Sequence, residues 1–217
     1  MMRLGILGGT FNPIHLGHLL LAETARETLR LDRVVFVPTR QPPHKRAKDL
    51  LPGDARMKLI ALAIKDHPAF VASDIELQRP GPSYSIETVK ILKGQLPQAK
   101  LFLIVGEDML AVRWVAWEEL KRLCTIVVAR RPAPPPVYSP KANRRGVEGH
   151  RPFGPKTGGG VKRLPMPLVE ISSSDVRARL LAGRSIRYLV PSAVERYIQQ
   201  HQLYPVVRSS VDTARGT

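Results

Sequence analysis

The sequence is short of several residue types, and each shortage narrows the possible classes of protein. Its single cysteine, Cys124, among 217 residues cannot form a disulfide within the chain and suits a reducing compartment such as the cytoplasm. No run of 18 apolar residues occurs, which argues against a membrane span, and the first residues do not resemble a signal peptide. Acidic residues are few, with 18 Asp and Glu against 34 Lys and Arg, a formal net charge of +16. We therefore expect a cytoplasmic protein with an anionic partner, either a nucleic acid or a phosphorylated small molecule.

The excess positive charge is concentrated in one segment. Between Arg130 and Arg163 there are nine Lys or Arg residues and one acid, Glu148. The segment is also rich in proline and glycine, so it cannot bury enough apolar surface to offset its ordering entropy. We predict a flexible basic insertion at about 132–165 that interrupts a single domain over 1–205, followed by a frayed tail over 206–217.

Outside this segment, short β-rich runs alternate with helical patterns. The predicted strands are 4–7, 34–37, 101–105, 125–129 and 168–171, and the predicted helices are 17–31, 54–66, 85–96, 174–182 and 191–201. The helix at 54–66 has an apparent apolar face of Met57, Ile60, Ala61 and Ile64. This alternation predicts an α/β fold with a Rossmann-like open parallel sheet and helices on both faces. Ligands of such sheets bind beyond the carboxyl ends of the strands, so the residues after each strand are the candidates.

The first predicted strand is followed by a glycine turn and then by a helix. The turn begins with Gly8, Gly9, Thr10 and Phe11, and His15 and His18 lie at the start of the helix. Adjacent glycines let the main chain approach a ligand, and a helix N-terminus offers N–H donors to an anion. The segment is neither a Walker loop nor a G-x-G-x-x-G fingerprint. It predicts a phosphate cradle with two imidazoles near the same anion.

A second motif, Ile171-Ser172-Ser173-Ser174-Asp175-Val176-Arg177, follows the last predicted strand. Its serines supply donors at a helix start, where an arginine is electrostatically unfavourable unless an anion shares the site. We therefore place Arg177 in the first turn of that helix, beside an anionic ligand. Taken together, Gly-Gly-Thr-Phe-Asn-Pro-Ile-His-Leu-Gly-His and this second segment resemble the two signatures of the H-x-G-H nucleotidyltransferase superfamily.

Further segments resemble those of one member of that superfamily, the bacterial nicotinate-mononucleotide adenylyltransferases. They are Pro42-Pro43-His44-Lys45, Pro82-Ser83-Tyr84-Ser85, Val105-Gly106-Glu107-Asp108 with Trp114 and Trp117 behind it, Tyr188-Leu189-Val190-Pro191 and Gln202-Leu203-Tyr204. The resemblance covers about residues 3–131 and 166–205. It departs at Asn12, where the family more often has aspartate.

The resemblance implies an enzyme that transfers the adenylyl group of ATP to nicotinate mononucleotide, giving deamido-NAD and pyrophosphate. The catalytic residues it implies are His15, His18, Lys45 and Arg177. The implied ATP- and phosphate-binding residues are Gly8, Gly9, Thr10, Phe11, His44, Ser172, Ser173 and Ser174. Gly106 and Asp108 are implied as ribose contacts, and Ser85 and Trp117 as nicotinate contacts. Mg²⁺ is expected to bind mainly through the ATP phosphates, without a metal site made of protein ligands.

Several alternatives stay open at this point. The same chemistry could act on nicotinamide mononucleotide or pantetheine phosphate, or on a cytidylyl donor pair. Trp117 could be a core anchor, and Asp108 could be a helix cap. The net charge also raises a different class, a basic nucleic-acid-binding protein. That class needs aromatic residues for base stacking or a recognition helix, and the insertion offers only Tyr138 and Phe153, so nucleic acid is not the favoured partner. A homo-oligomer is compatible with the sequence.

Overall fold

A single parallel sheet forms the centre of the protein. The computed structural model describes residues 1–43, 50–107, 109, 112, 114–130, 161–165 and 169–205. In this part of the chain the strands are β1 (Arg3–Gly9), β2 (Arg33–Pro38), β3 (Phe70–Ala72), β4 (Lys100–Gly106), β5 (Thr125–Arg130) and β6 (Val161–Pro165). All neighbours are parallel, and the order is β3-β2-β1-β4-β5-β6. The predicted Rossmann-like sheet is confirmed, and its strand order switches between β1 and β4.

Helices cover both faces of this sheet. They are α1 (Leu16–Leu29), α2 (Gly53–Ile64), α3 (Ser85–Gln95), α4 (Trp117–Leu123), α5 (Ser173–Leu181) and α6 (Ser192–Gln200). One hydrophobic core contains buried residues of α1, α2, α5 and α6, and the other contains those of α3 and α4. The longest helix, α1, has 14 residues, and in the described part of the chain none is long and apolar enough to cross a membrane.

The pattern of β4 shows why the strands read as continuous apolar runs. Phe102 and Ile104 belong to the first core, whereas Leu101, Leu103 and Val105 belong to the second. Successive side chains of a strand point to opposite faces, so a sheet covered on both faces buries every residue of a central strand. The two cores on either side of β4 thus account for its unbroken hydrophobic sequence.

The prediction of the last strand, at 168–171, was wrong. Residues 169–171 form no strand, and the strand that pairs with β5 is Val161–Pro165. It is an edge strand with exposed Lys162 and Arg163 and a fully buried Leu164. Its polar sequence therefore looked like part of the basic insertion. Residues 161–165 therefore belong to the sheet and not to the predicted insertion. The remaining residues of the predicted insertion, 132–160, and the predicted tail, 206–217, lie outside the described residues.

Smaller differences concern the helices and the shortest strand. The sequence analysis predicted neither β3, which has three residues, nor α4. The buried face of α2 consists of Arg56, Leu59, Ile60 and Ile64, whereas Ala61 is exposed. Ser85 is the first residue of α3, as the predicted range 85–96 implies, whereas α6 begins at Ser192 and not at the predicted position 191, where Pro191 is the N-cap. The sequence predicted the wrong buried face for α2 because an arginine, Arg56, occupies one of the buried positions.

Candidate active site

The predicted ligand-binding glycines lie at the strand ends on either side of the switch point. Gly8 and Gly9 end β1, and Gly106 ends the neighbouring β4. Gly8 is exposed, and a Cβ added to it would meet no atom of the described residues within 4 Å. The carboxyl edge of the sheet is therefore open where an α/β sheet binds its ligand.

His15 and His18 lie together at the start of α1. His15 is the N-cap, and His18 is the third residue of the helix. Their rings are stacked, with centroids 3.7 Å apart and an interplanar angle of 29°. The main-chain N–H of His15 donates to His18 Nδ1 at 3.2 Å. Because Nδ1 accepts this hydrogen bond, a neutral His18 ring carries its proton on Nε2, where it can be donated to an anion.

Gly17 allows this close arrangement of the rings. A Cβ at position 17 would lie 3.0 Å from His15 Nδ1 and 3.1 Å from His15 Cε1. The His15 side chain is buried, with 5% of its surface exposed, so the ring has little room to move away. A residue without a side chain between the two histidines is thus a packing requirement of the motif.

The second motif packs directly on the first. The hydroxyl of Ser173 donates to the main-chain oxygen of Pro13 at 2.9 Å, and Arg177 Nη1 donates to the main-chain oxygen of Asn12 at 2.8 Å. Arg177 Nη2 lies 3.4 Å from the hydroxyl of Ser174. The fold therefore joins two segments that are about 160 residues apart in the sequence.

The start of α5 differs in one respect from the prediction. Ser172 is the N-cap, and its hydroxyl accepts from the main-chain N–H of Asp175 at 3.1 Å. Arg177 is the fifth residue of the helix, so it lies in the second turn and not in the first. The helix begins at Ser173, one residue before the predicted start at 174, and this moves Arg177 into the second turn. Its guanidinium reaches the loop after β1 at the main-chain oxygen of Asn12.

A buried arginine that the sequence analysis missed anchors the same loop. Arg56 has 2% of its surface exposed, and its Nη1 donates to the main-chain oxygens of Thr10 at 2.9 Å and Thr39 at 2.8 Å. Its Nε donates to the main-chain oxygen of Leu51 at 2.9 Å. Desolvation by burial lowers the pKa of Arg56, and a charged group buried in this way requires such partners. Arg56 thus connects the loops that follow β1 and β2.

Phe11 contributes packing to the site. Its side chain is fully buried, and its ring meets the ring of His18 edge-on with centroids 4.9 Å apart. The main chain at Phe11 has φ of +46°, and a Cβ at Gly9 would lie 3.3 Å from the Phe11 ring. Of the predicted contacts of Phe11 with ATP, only those through the main chain agree with this burial.

The predicted nicotinate-binding residues lie on the other face of the sheet. Ser85 begins α3 and is half-buried, whereas the neighbouring Ser83 is buried, and its hydroxyl accepts from the main-chain N–H of Arg40 at 3.0 Å. Trp117 begins α4, is half-buried and packs against the second core. Its ring centroid is 5.5 Å from that of Trp114. Ser83 therefore joins the loop after β2 to α3, a role that the Pro-Ser-Tyr-Ser segment did not reveal.

Three predicted site residues, His44, Lys45 and Asp108, lie outside the described residues. Among those that are described, no group of three or more His, Cys, Asp or Glu side chains is arranged to hold a metal ion. Cys124 is buried, and desolvation raises the pKa of its thiol to about 12. A thiol with so high a pKa is unreactive at neutral pH, in agreement with a packing role for Cys124.

A cavity of about 550 Å³ lies beside α1 and not at the glycine turn. Its described lining is apolar except for Glu23 and His67, whose Oε2 and Nε2 atoms lie 3.0 Å apart. Two of its described lining residues, Leu16 and Ile171, belong to the two motifs. The cavity lacks the converging donors that a polyphosphate needs, so the motif geometry, not cavity size, locates the candidate active site.

An open parallel sheet with two stacked histidines and a serine-rich helix start at its switch point defines an α/β protein of the nucleotidyltransferase type. Residues 6–179 match the family described as Cytidylyltransferase-like. A protein of Symbiobacterium thermophilum named "Probable nicotinate-nucleotide adenylyltransferase" is 43% identical, over 94% of this chain and 96% of the relative. A protein of the same name from Citrifermentans bemidjiense is 42% identical, over 94% and 98%. The chain belongs to the cytidylyltransferase-like family and, within it, to the nicotinate-nucleotide adenylyltransferases.

A solved structure has the same fold at a lower sequence identity. It is the Plasmodium falciparum nicotinic acid mononucleotide adenylyltransferase complexed with NaAD, which is 17% identical with a TM-score of 0.69. The match covers 94% of this chain and 98% of that chain. This likeness confirms the predicted fold class, and the family model and the relatives at 42–43% identity confirm the predicted family.

Proposed function

We propose that the protein transfers the adenylyl group of ATP to nicotinate mononucleotide, forming deamido-NAD and pyrophosphate, a step in NAD biosynthesis. The observation that carries this proposal is the junction of the two motifs at the switch point. There Arg177 and Ser173 bond to the main chain of Asn12 and Pro13, three residues or fewer before His15. Both the relatives' names and this arrangement of donors support a reaction between two phosphates.

The reaction needs no nucleophilic side chain. A 5′-phosphate oxygen of the mononucleotide attacks the α-phosphorus of ATP, the new P–O bond forms, and the bond from the α-phosphorus to the bridging oxygen breaks. The electron pair of that bond leaves on pyrophosphate. A phosphate monoester is already largely ionised at neutral pH, with a second pKa of about 6, so no general base is required. Catalysis then consists of bringing two polyanions together and stabilising charge as it develops.

The residues assigned to the ATP phosphates suit that task. His18 would donate from Nε2, the nitrogen that carries the proton when Nδ1 accepts from His15. Arg177, His15 and Lys45 would add positive charge or donors, with His44 assisting. Main-chain N–H groups of Gly8–Phe11 and the hydroxyls of Ser172, Ser173 and Ser174 would complete the cradle. Charge-assisted hydrogen bonds of this kind contribute roughly 1.5–3 kcal/mol each.

The mononucleotide would bind towards α3 and α4. Ser85, at the first position of α3, would meet the nicotinate carboxylate together with main-chain donors of that helix start, where a negative charge is favoured. The half-buried ring of Trp117 would stack on the pyridine ring, and Gly106 and Asp108 would contact ribose hydroxyls. A carboxylate is a better ligand for this helix start than a neutral amide, so the acid mononucleotide is the preferred substrate.

Magnesium is proposed to enter with ATP. Mg²⁺ prefers oxygen ligands, above all carboxylates and phosphates, whereas the described motif residues offer imidazoles, hydroxyls, a guanidinium and one carboxylate, that of Asp175, which accepts from the hydroxyl of Ser172. These residues do not form a magnesium site, so the ion would be held by the phosphate oxygens of its nucleotide. The single cysteine agrees with a cytoplasmic enzyme. A homo-oligomer is a separate proposal, which a measurement of the oligomeric state would test.

The test is a substrate panel with pyrophosphate release as the readout. The protein is assayed with ATP and Mg²⁺ against nicotinate mononucleotide, nicotinamide mononucleotide and pantetheine phosphate. We expect the acid mononucleotide to have the highest kcat/KM, and the dinucleotide product is identified by mass. A higher kcat/KM with the amide or with pantetheine phosphate would overturn the assigned acceptor while leaving adenylyl transfer intact. No pyrophosphate release with any acceptor would overturn the activity itself.

A further inference from the structure

Asn12 connects three distant parts of the chain to the loop after β1. It is buried, with 4% of its surface exposed, and its Oδ1 accepts from the hydroxyl of Tyr204 at 2.8 Å and from the main-chain N–H of Leu51 at 3.2 Å. Its main-chain oxygen accepts from Arg177. An amide oxygen has two lone pairs, so both acceptor positions of this buried oxygen are filled.

The contacts of Asn12 reinforce those of its neighbours in the loop. Arg56 holds the main-chain oxygens of both Thr10 and Leu51, and Leu51 is the residue whose N–H reaches Asn12. Pro13, the next residue, accepts from Ser173. The loop between β1 and the histidines is thus held by α2, by α5 and by the segment that follows α6. Tyr204 is the member of this network farthest along the chain.

The hydroxyl of Tyr204 is placed to remain a donor. It is part-buried, and desolvation raises the pKa of the phenol despite the opposing positive charges of Arg177 and Arg56. A protonated hydroxyl can donate to Asn12 Oδ1, whereas a phenolate could not. Without the Tyr204 hydroxyl, one of the two acceptor positions of the buried Asn12 Oδ1 would lose its donor, which favours a local rearrangement.

We propose that Tyr204 is a positioning residue of the active site. By donating to Asn12 it holds the Asn12–Pro13 main chain, and with it the anchor points of Arg177 and Ser173, in the geometry that the transferring phosphate requires. This inference rests on the proposed function. Tyr204 lies near the end of the described residues, 192 residues from Asn12 in sequence. It would act on the substrate indirectly, through the loop that it supports.

The first experiment compares Tyr204→Phe with Tyr197→Phe. Tyr197 lies on α6, and the centroid of its ring is 4.1 Å from that of His201. The control Tyr197→Phe therefore removes the hydroxyl of a nearby phenol that is not bonded to Asn12. Tyr204→Phe should lower kcat about tenfold. Misplacing a catalytic group by about 1 Å can cost about a hundredfold, and we expect the loss of one supporting bond to cause a smaller displacement. KM for both substrates should change less than about threefold, since ground-state binding is not the function that is lost. Tyr197→Phe should keep the parent kcat.

Equal kcat values for Tyr204→Phe and the parent would overturn the inference. So would a rise in both KM values at unchanged kcat, because that result would make Tyr204 a contributor to binding. Circular dichroism and thermal unfolding establish that each variant is folded at the assay temperature. A parent that releases no pyrophosphate would overturn the proposed function instead, so the two failures are distinguishable.

A second pair of variants tests the acceptor of the same bond. Asn12→Asp keeps an oxygen at that place, whereas Asn12→Leu keeps the approximate size and removes both acceptor positions. We expect the kcat of Asn12→Asp to exceed that of Asn12→Leu by about tenfold or more. Adding Tyr204→Phe to Asn12→Leu should cause no further loss, because residues that act through one bond are not additive. Additive losses, or equal losses for Asp and Leu at position 12, would overturn the inference.

Discussion

Gly17 provides a direct test of whether the His15 ring must lie where the structure places it. In Gly17→Ala the new Cβ would be 3.0 Å from His15 Nδ1, 3.1 Å from His15 Cε1 and 3.6 Å from the main-chain oxygen of Ile171. Optimal contacts between such atoms are about 3.5–4.0 Å, so the buried ring must shift by several tenths of an ångström. Because the His15 ring stacks on His18 at 3.7 Å, the displacement reaches both imidazoles.

The expected magnitudes separate stability from activity. Alanine is favoured over glycine in a helix by up to about 1 kcal/mol, and overpacking opposes this by about 1–3 kcal/mol. The free energy of unfolding should therefore fall by only about 0–2 kcal/mol, a decrease in Tm of up to about 8 °C for a domain of this size. The turnover should fall more, by about tenfold to a hundredfold, since misplacement by about 1 Å costs about a hundredfold.

The control is Gly94→Ala, because Gly94 lies in α3 and a Cβ there would meet no atom within 4 Å in the part of the chain that the structure describes. We expect this variant to gain up to about 1 kcal/mol in unfolding free energy and to keep the parent kcat. Pyrophosphate release at saturating ATP and nicotinate mononucleotide measures kcat, and thermal unfolding by circular dichroism measures Tm. A folded Gly17→Ala variant with the parent kcat would refute the reasoning, as would an equal loss of kcat in Gly94→Ala.

Three further predictions concern the proposed roles of single side chains. His18→Ala should lower kcat by about 10²–10³ with only a few-fold change in the ATP dissociation constant, because a donor to the developing charge acts in the transition state; lost affinity at the parent kcat would make His18 a binding residue. Trp117→Ala should raise KM for the mononucleotide and barely change KM for ATP, whereas equal effects would make it a core residue alone. Cys124 should resist alkylation at pH 8 in the folded protein, because its pKa is raised to about 12. The same upward shift stabilises the fold below the unfolded pKa of about 8.5, and this contribution is lost as the pH rises towards 12; rapid labelling of folded protein would contradict the burial.

Local sequence was sufficient for the features whose cause is local. The glycine turn, the histidine pair and the serine N-cap at Ser172 are each built from residues within about ten positions of one another. Strands that are covered on both faces, such as β4, can be recognised in the sequence as apolar runs because their side chains are buried on both sides. Edge elements were predicted poorly, since β3 has only three residues and β6 exposes Lys162 and Arg163. A half-exposed edge carries a weaker hydrophobic pattern than a central strand.

The buried polar network of the site depends on contacts that no local pattern predicts. Arg56 looked like a charged residue of an amphipathic helix, yet burial against Thr10, Thr39 and Leu51 makes it an anchor of the two loops. Its partners are main-chain oxygens, which every residue type carries, so the residue types at those positions do not reveal the contacts. The only hint was its spacing, because position 56 shares a face with the buried Ile60 and Ile64.

By itself, the sequence determined the fold class, the family and the two motifs, because the periodicity of strands and helices and the residues at the strand ends depend on short stretches of chain. Only the tertiary structure decided how these pieces meet: that Arg177 reaches Asn12 from the second turn of α5, that Tyr204 closes the same network, and that the sixth strand is Val161–Pro165. Hydrogen bonds between residues about 160–192 positions apart are set by the packing of whole helices on the sheet. The physical reason is that a buried donor takes whichever acceptor the packed fold brings within reach.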